Sequence, residues 1–316
     1  MRKARHSPAE PCSAAAGITP TEESFAWPAS RLRIGISGWT YPRWRDVFYP
    51  PKLAHRLELN FASRQFNSIE INGSFYSLQR PSSYERWYAE TPAGFVFSVK
   101  GARFITHMKK LRDVETALAN FFASGVLALR EKLGPILWQF PPNFGWNEER
   151  FRNFFQLLPR ETQAAARLAT GHDEKLQHGT WTKNDIARPL HYAVEIRHPS
   201  FLVPEFFSLL REYDVAFVFA DTARKWPYAE DLTAGLVYCR LHGAEQLYVS
   251  GYTDSALDWW ADRIRHWRRG VQPAGAQLIA APARRKAIRD VYVYFDNDAK
   301  VHAPFDARRL AARLNP

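Results

Sequence analysis

The chain has 316 residues, 46% of them hydrophobic and 15% aromatic, enough to bury one large core or two ordinary ones. Its formal charge of +11 draws phosphate-bearing partners, and its two cysteines, Cys12 and Cys239, exclude a disulfide framework and fit a reducing compartment. No apolar run reaches the ~18 residues that a membrane helix needs, and no apolar stretch follows the basic N-terminus as a secretory signal requires, so a cytoplasmic protein away from membranes is expected.

Residues 1–30 mix Ala, Ser, Pro and charge without periodicity and read as a flexible leader, with the folded domain expected over 31–316. The first strand is RIGIS (33–37), followed by a dense aromatic stretch holding Trp39, Tyr41, Trp44, Phe48 and Tyr49, and then a helix over 53–65. IEIN (69–72) is the second strand and PSSYERWYAETP (81–92) a helix that opens on proline and stops before Pro92. FVFSVK (95–100) precedes a long amphipathic segment over 113–132, and ILWQF (136–140) precedes a helix over 148–158. YAVEIRH (192–198) leads into a helix over 204–213, and VAFVFAD (215–221) is the sixth strand. VYCRLH (237–242) leads into a helix over 254–269, VYVYFDND (291–298) is the eighth strand, and a helix over 306–314 closes the chain.

Short β-branched and aromatic runs alternating with helices are the pattern of a parallel sheet covered on both faces. Eight of them fit an α/β fold, a TIM-type (β/α)8 barrel in a single domain. Two stretches break the alternation, about 160–189 and 270–289, and read as insertions on that barrel.

Most of the strands end in a polar or ionisable residue, and unpaired buried charge is costly, so these groups mark the C-terminal barrel mouth as the place of any chemistry. Alternate residues of a strand share a face. Glu195 and Arg197 therefore point one way, as do Arg240 with His242 and Glu70 with Asn72. Glu195 is the candidate base or ligand, His198 or His242 the proton carrier, and Arg197 and Arg240 the clamps for a carboxylate or phosphate. Each has a structural alternative: the Glu195–Arg197 pair can brace the mouth, His198 can cap its loop, and His242 can be a satisfied core residue. Glu70 and Asp221 add carboxylates, although Asp221 can equally cap a short turn. Lys100 suits a Schiff base if desolvated, or a counter-ion to those carboxylates. His107, Asn72 and Asn297 complete the polar substrate-binding candidates. Trp39 and Tyr76 are the aromatic ones, while Trp44 and Phe48 read as a hydrophobic plug.

Eight blocks in order resemble the YecE-like proteins, domain-of-unknown-function family 72. They are GISGWTYPRWRDVFYP (35–50), EINGSFYSL (70–78), FVFSVKGARFITH (95–107), LGPILWQFPP (133–142), AVEIRHPSF (193–201), FADT (219–222), YCRLHG (238–243) and YVYFDND (292–298). The resemblance implies a TIM barrel and a site at its mouth, but no reaction. Against the family pattern the last block carries Asp296 where asparagine is usual, and the two insertions are additions.

The residues thus point to an enzyme using acid/base chemistry on a small anionic or phosphorylated substrate, a hydrolase or isomerase. Two rivals stand beside it. One is a divalent-metal nuclease or phosphodiesterase whose basic C-terminal region, with twelve Lys and Arg against five Asp from residue 260 onward, follows nucleic-acid phosphates. The other is a barrel that binds a small molecule or acts as an adaptor without turnover. No phosphate loop, dinucleotide fingerprint or nucleophile elbow is present, so no nucleotide cofactor is expected.

Overall fold

The computed structural model describes residues 32–176, 179–284 and 288–314. The leader expected over 1–30 lies outside them. Eight parallel strands close into a barrel in sequence order: β1 Leu32–Ser37, β2 Ser68–Ile71, β3 Val96–Lys100, β4 Leu133–Gln139, β5 Tyr192–Glu195, β6 Val215–Asp221, β7 Leu236–Leu241 and β8 Asp290–Phe295. β8 pairs with β1 in parallel register, Gly35 opposite Tyr294, which removes any free edge.

The period of two divides these strands into two cores. Outward positions such as Phe97, Trp138, Phe217 and Phe219 meet the helices in one large apolar cluster. Inward positions form a smaller one, with Leu137, Ala193, Ala216, Val218 and Leu236 beside the buried rings of Tyr238 and Tyr294. The two tyrosine hydroxyls lie 2.6 Å from Ser98 Oγ and Ser68 Oγ respectively, so the tyrosines bring their polar tips to partners inside the barrel.

Helices α1 Glu58–Gln65, α2 Gly73–Tyr76, α3 Pro81–Glu90, α4 Glu115–Ala123, α5 Glu148–Leu157, α6 Thr162–Ala169, α7 Pro204–Glu212, α8 Asp254–Arg268 and α9 His302–Leu314 form the outer layer. The continuous helix expected over 113–132 is broken. Gly125 takes φ of 117°, and a Cβ there would lie 2.6 Å from Pro81 Cα, so the chain turns at the one residue that fits and continues as a tight helix over Val126–Lys132.

The stretch about 160–189 holds α6, and its other described residues are tied down by Trp181 N–H donating to Ala123 O (2.7 Å) and Thr162 N–H to Arg188 O (2.9 Å). No helix joins β6 to β7. Residues 222–235 return along the outside instead, and the described part of the next stretch, 270–284, packs on them, with Ile279 and Ala280 N–H donating to the Asp231 carboxylate. An irregular pair of segments thereby takes the place of one barrel helix.

Candidate active site at the barrel mouth

Inward parity carries the polar strand ends to one point. Arg240, on β7 two residues above Tyr238, is fully buried. Its Nε and Nη2 donate to the two oxygens of Glu70 (3.1 and 2.8 Å), and Nη1 donates to Glu195 Oε2 (2.7 Å). Nη2 also reaches Asp296 Oδ2 (3.0 Å) and Ser37 Oγ (3.1 Å), and Nη1 lies 3.4 Å from His242 Nε2. A guanidinium has five N–H groups, and every one of these finds its acceptor within the barrel.

Glu70 is equally engaged. Besides Arg240 it accepts from Tyr238 OH (2.6 Å) and from Ser37 Oγ, which also accepts from Asn72 Nδ2 (3.0 Å). Glu195 Oε1 accepts from Gln139 Nε2 (2.7 Å) and Arg197 Nε (3.1 Å). Burial alone would raise the Glu195 carboxyl, but the charges of Arg240 and Arg197 outweigh it and hold it well below the usual carboxylate range. Asp296 follows the same balance: burial raises it, Arg240 and His242 lower it further, and it stays ionised. Arg240 is held above its ordinary value because Glu70, Glu195 and Asp296 overcome its burial.

His242 stands 3.1 Å from Asp296 Oδ2 through Nδ1, without hydrogen-bond geometry, and its ring meets the edge of Tyr248 at 5.2 Å. Its two ring nitrogens thus face Arg240 on one side and the Asp296 carboxylate on the other.

The mouth side of this network is built differently. Lys100, at the end of β3, is only 7% exposed, yet no hydrogen bond or ion pair among the described residues reaches its Nζ, which sits 4.3 Å from the centre of the Phe75 ring. Burial and the charge of Arg240 push its ammonium down to about 8. His107 flanks the same Phe75 ring at 5.0 Å and bonds Thr106 Oγ1 (2.8 Å), and burial with the charges of Lys100 and Arg197 lowers it to about 4. Arg197 has its guanidinium carbon 3.7 Å from the centre of the Trp226 ring and donates from Nη2 to Tyr248 OH (3.3 Å), while its Nη1 has no protein partner among the described residues.

The expected face-sharing pairs therefore meet, but several roles do not survive the geometry. Glu70 and Arg240 have no bonding capacity left for a proton transfer or an anion, so the readings of catalytic base and clamp give way to an internal ion pair. Asp221 shares the outward parity of Phe217 and Phe219. Its carboxylate accepts from Tyr252 OH (3.0 Å) and Ala223 N–H, which makes it a turn cap beside α8 rather than a catalytic group. His198 accepts from Ser200 N–H (3.2 Å) as the cap of the turn after β5, the structural alternative to a proton carrier. Asn297 donates to Ser250 O (3.0 Å) and Asp306 Oδ2 (2.9 Å), bracing the loop after β7 against α9 instead of a substrate. Trp39 packs edge-on to Trp87 of α3 at 5.3 Å and against Phe97, in the outer core with the buried Trp44 and Phe48. Tyr76 is exposed at the rim, 5.7 Å from Arg103.

Ser37, Gln139, Tyr238, Asp296, Trp226 and Tyr248 belong to the site and were not among the expected residues. For the first four the signal was present: each lies at inward parity on β1, β4, β7 or just past β8. Nothing in the local sequence marks Trp226 or Tyr248, which come from loops.

A divalent metal fits this donor set poorly. The carboxylates that would hold it already surround a guanidinium charge, and among the described residues no group of three His, Cys, Asp or Glu side chains could ligate an ion.

The sequence profile of the family described as "Protein of unknown function DUF72" matches residues 33–316. The chain belongs to the DUF72 family. UPF0759 protein YunF of Bacillus subtilis is 32% identical over 123 residues, 37% of this chain and 43% of that one, and UPF0759 protein YecE of Escherichia coli K12 is 25% identical over 171 residues, 54% and 50%. The chain spans about half the length of the curated relatives it matches. Two DUF72 crystal structures share the fold. The protein from Thermotoga maritima aligns with a TM-score of 0.67 at 21% identity, over 90% of this chain and 99% of that one. The protein from Enterococcus faecalis gives 0.64 at 16% identity, over 90% and 96%. The YecE-like resemblance and the TIM-type barrel read from the sequence both hold for this DUF72 chain. No helix among the described residues is long and apolar enough to cross a membrane.

Proposed function

We propose that this DUF72 protein is a cytoplasmic enzyme, a hydrolase or isomerase in class, that applies acid/base chemistry to a small anionic substrate at the C-terminal barrel mouth. The observation that carries the reading is the pair of incompletely satisfied cations above a sealed carboxylate–arginine network. Arg197 offers Nη1 to an anion while its Nε bond to Glu195 and its contact with the Trp226 ring hold the guanidinium in place. Lys100 titrates near neutral pH, where a proton carrier works best. Glu195, strongly ionised, is a fixed counter-charge and positioning residue rather than the base.

The nucleic-acid reading loses part of its footing. Arg263 is held by Glu230 at 3.1 Å and Arg289 is buried with its Nε on Ala234 O, so two arginines of the basic C-terminal region serve the fold. Arg285 and Lys286 lie outside the described residues.

The test is a thermal-shift screen of small carboxylates and sugar phosphates on the wild type and Arg197→Met, with turnover of any hit followed by NMR. Saturable stabilisation that Arg197→Met loses by about tenfold or more in affinity is expected, given a charge-assisted bond worth ~1.5–3 kcal/mol. Equal shifts in both proteins would remove the anion site, and binding without turnover would leave a sensor or adaptor barrel.

A further inference from the structure

We propose that Lys100 is a nucleophile whose Nζ forms an imine with the carbonyl carbon of a small substrate that also carries a carboxylate or phosphate. The inference rests on the anion-site reading above, since Arg197 would hold the charged end of that substrate.

Four observations support it. Among the described residues the Nζ of the buried Lys100 has no hydrogen-bond or ion-pair partner, whereas Arg240, buried in the same barrel, has three carboxylates. A lysine retained only as a counter-ion would be expected within ion-pair distance of one of them. Its Nζ lies 4.3 Å from the centre of the Phe75 ring, and Lys100 and Arg197 are both near enough to His107 for their charges to act on it. Burial, aided by Arg240, lowers the ammonium to about 8, so a usable share of neutral amine exists at physiological pH. His107 flanks the same ring with a neutral imidazole, since burial and the neighbouring cations hold it down to about 4.

The chemistry closes without a further reactant. The lone pair of the neutral amine forms the C–N bond as the carbonyl π pair moves to oxygen, which takes up a proton. The new ammonium gives one proton to solvent, past the neutral His107 on the same Phe75 ring. The carbinolamine oxygen then takes a second proton from solvent and leaves as water while the nitrogen lone pair closes the C=N bond, and the protonated imine so formed returns its N–H proton to solvent when it becomes neutral. Amine and carbonyl enter, imine and water leave, and nothing is oxidised or reduced. An imine acidifies the adjacent C–H, which favours isomerisation or carbon–carbon bond chemistry over hydrolysis.

The full chain is incubated with glyoxylate, with dihydroxyacetone phosphate, and with acetaldehyde as the uncharged control. Borohydride is added and the modified lysine located by peptide mass spectrometry. Lys100 should carry the reduced adduct at least about tenfold faster than the surface lysines, whose amines are almost fully protonated at neutral pH. Its trapping rate should rise with pH about a midpoint near 8. Glyoxylate and the phosphate ester distinguish a carboxylate from a phosphate anchor, and Arg197→Met should slow the preferred anionic probe while sparing acetaldehyde. Lys100→Met, which keeps the length and removes the amine, should fold and show no adduct there. Adducts spread over surface lysines with none favoured at Lys100 would overturn the proposal. If anions still stabilise the protein thermally in that case, the imine falls and the anion site stands. An adduct at Lys100 that Arg197→Met leaves unchanged for every probe keeps the imine and removes the anion site beneath it.

Discussion

Arg240 and Lys100 are both buried cations at inward-facing strand ends of one barrel, and their surroundings drive them in opposite directions. Arg240 sits among Glu70, Glu195 and Asp296, and its protonated form is reinforced. Lys100 is buried beside an aromatic ring with no carboxylate at ion-pair distance among the described residues, and burial with the charge of Arg240 outweighs the pull of Glu195, Glu70 and Asp296, so its protonated form is weakened. Burial penalises both, so the difference lies in the partners. The first arrangement locks the strands together, and the second holds a strained charge in place. Strain of that kind persists where the surrounding structure over-determines it, and it concentrates at working sites.

The largest effect expected from breaking this comparison is at Arg240. Arg240→Met leaves three buried or nearly buried carboxylates facing one another without their shared cation. Removing one partner of such a network costs about 3–5 kcal/mol. Urea unfolding should place the variant at least that far below the wild type, or yield no folded protein. A loss within about 1 kcal/mol would mean that solvent or Arg197 takes over the charges, and the contrast between a sealed and an open region would be lost.

Lys100→Met should do the reverse. It replaces an unpaired buried ammonium by an apolar chain of similar length, and stability at pH 7 should rise by about 1–3 kcal/mol while the reductive trapping disappears. The pH dependence carries the sign. The folded protein releases the Lys100 proton near 8, whereas the unfolded chain keeps it up to about 10.4. Between those values the unfolded state binds more protons, so wild-type stability climbs with pH and the full contribution is present only above the unfolded value. Taking the difference between wild type and Lys100→Met cancels the buried tyrosines, which burial raises well above 10 in the folded protein and which ionise near 10 in the unfolded chain. The advantage of the variant should therefore be constant below pH 8 and shrink toward pH 10. An unchanged melting temperature at pH 7 would show that Lys100 carries no penalty, and with it the argument for a poised amine would fail.

The fold was legible because parity is a local property. An inward position two residues from another inward position is inward too, so Glu195 with Arg197, Arg240 with His242, and Glu70 with Asn72 could be paired before any coordinates. The same rule assigns Asp221 to the outer face with Phe217 and Phe219, and it went unused there because a carboxylate at a strand end looks catalytic. What the sequence could not show was saturation. Whether Arg240 is a clamp or a knot depends on how many acceptors four other strands bring to it, and that is a fact about the closed barrel. Loop contributions were hidden for a similar reason: Trp226 reaches Arg197 from a connection where a helix would be usual, and no periodicity points to it. The exchange of a helix for two packed irregular segments between β6 and β7 was half visible, as a break in the alternation over 270–289.

The smallest effect should come from His198, which the sequence placed in the site and the structure places in a turn. Its Nδ1 accepts from Ser200 N–H, and Ser200 Oγ in turn accepts from Trp146 N–H at 2.8 Å, so the side chain helps to hold the loop after β5 against the loop after β4. Losing a cap of this kind costs about 0.5–2 kcal/mol. Because Ser200 keeps its bond to Trp146, His198→Ala should fall at the lower end of that range by urea unfolding. Since His198 shares outward parity with Ile196 and Val194, the variant should bind small anions and trap carbonyls at Lys100 at the wild-type rate. A stable His198→Ala protein that loses either property would return this histidine to the mouth and extend the open region from Lys100 and Arg197 across the end of β5.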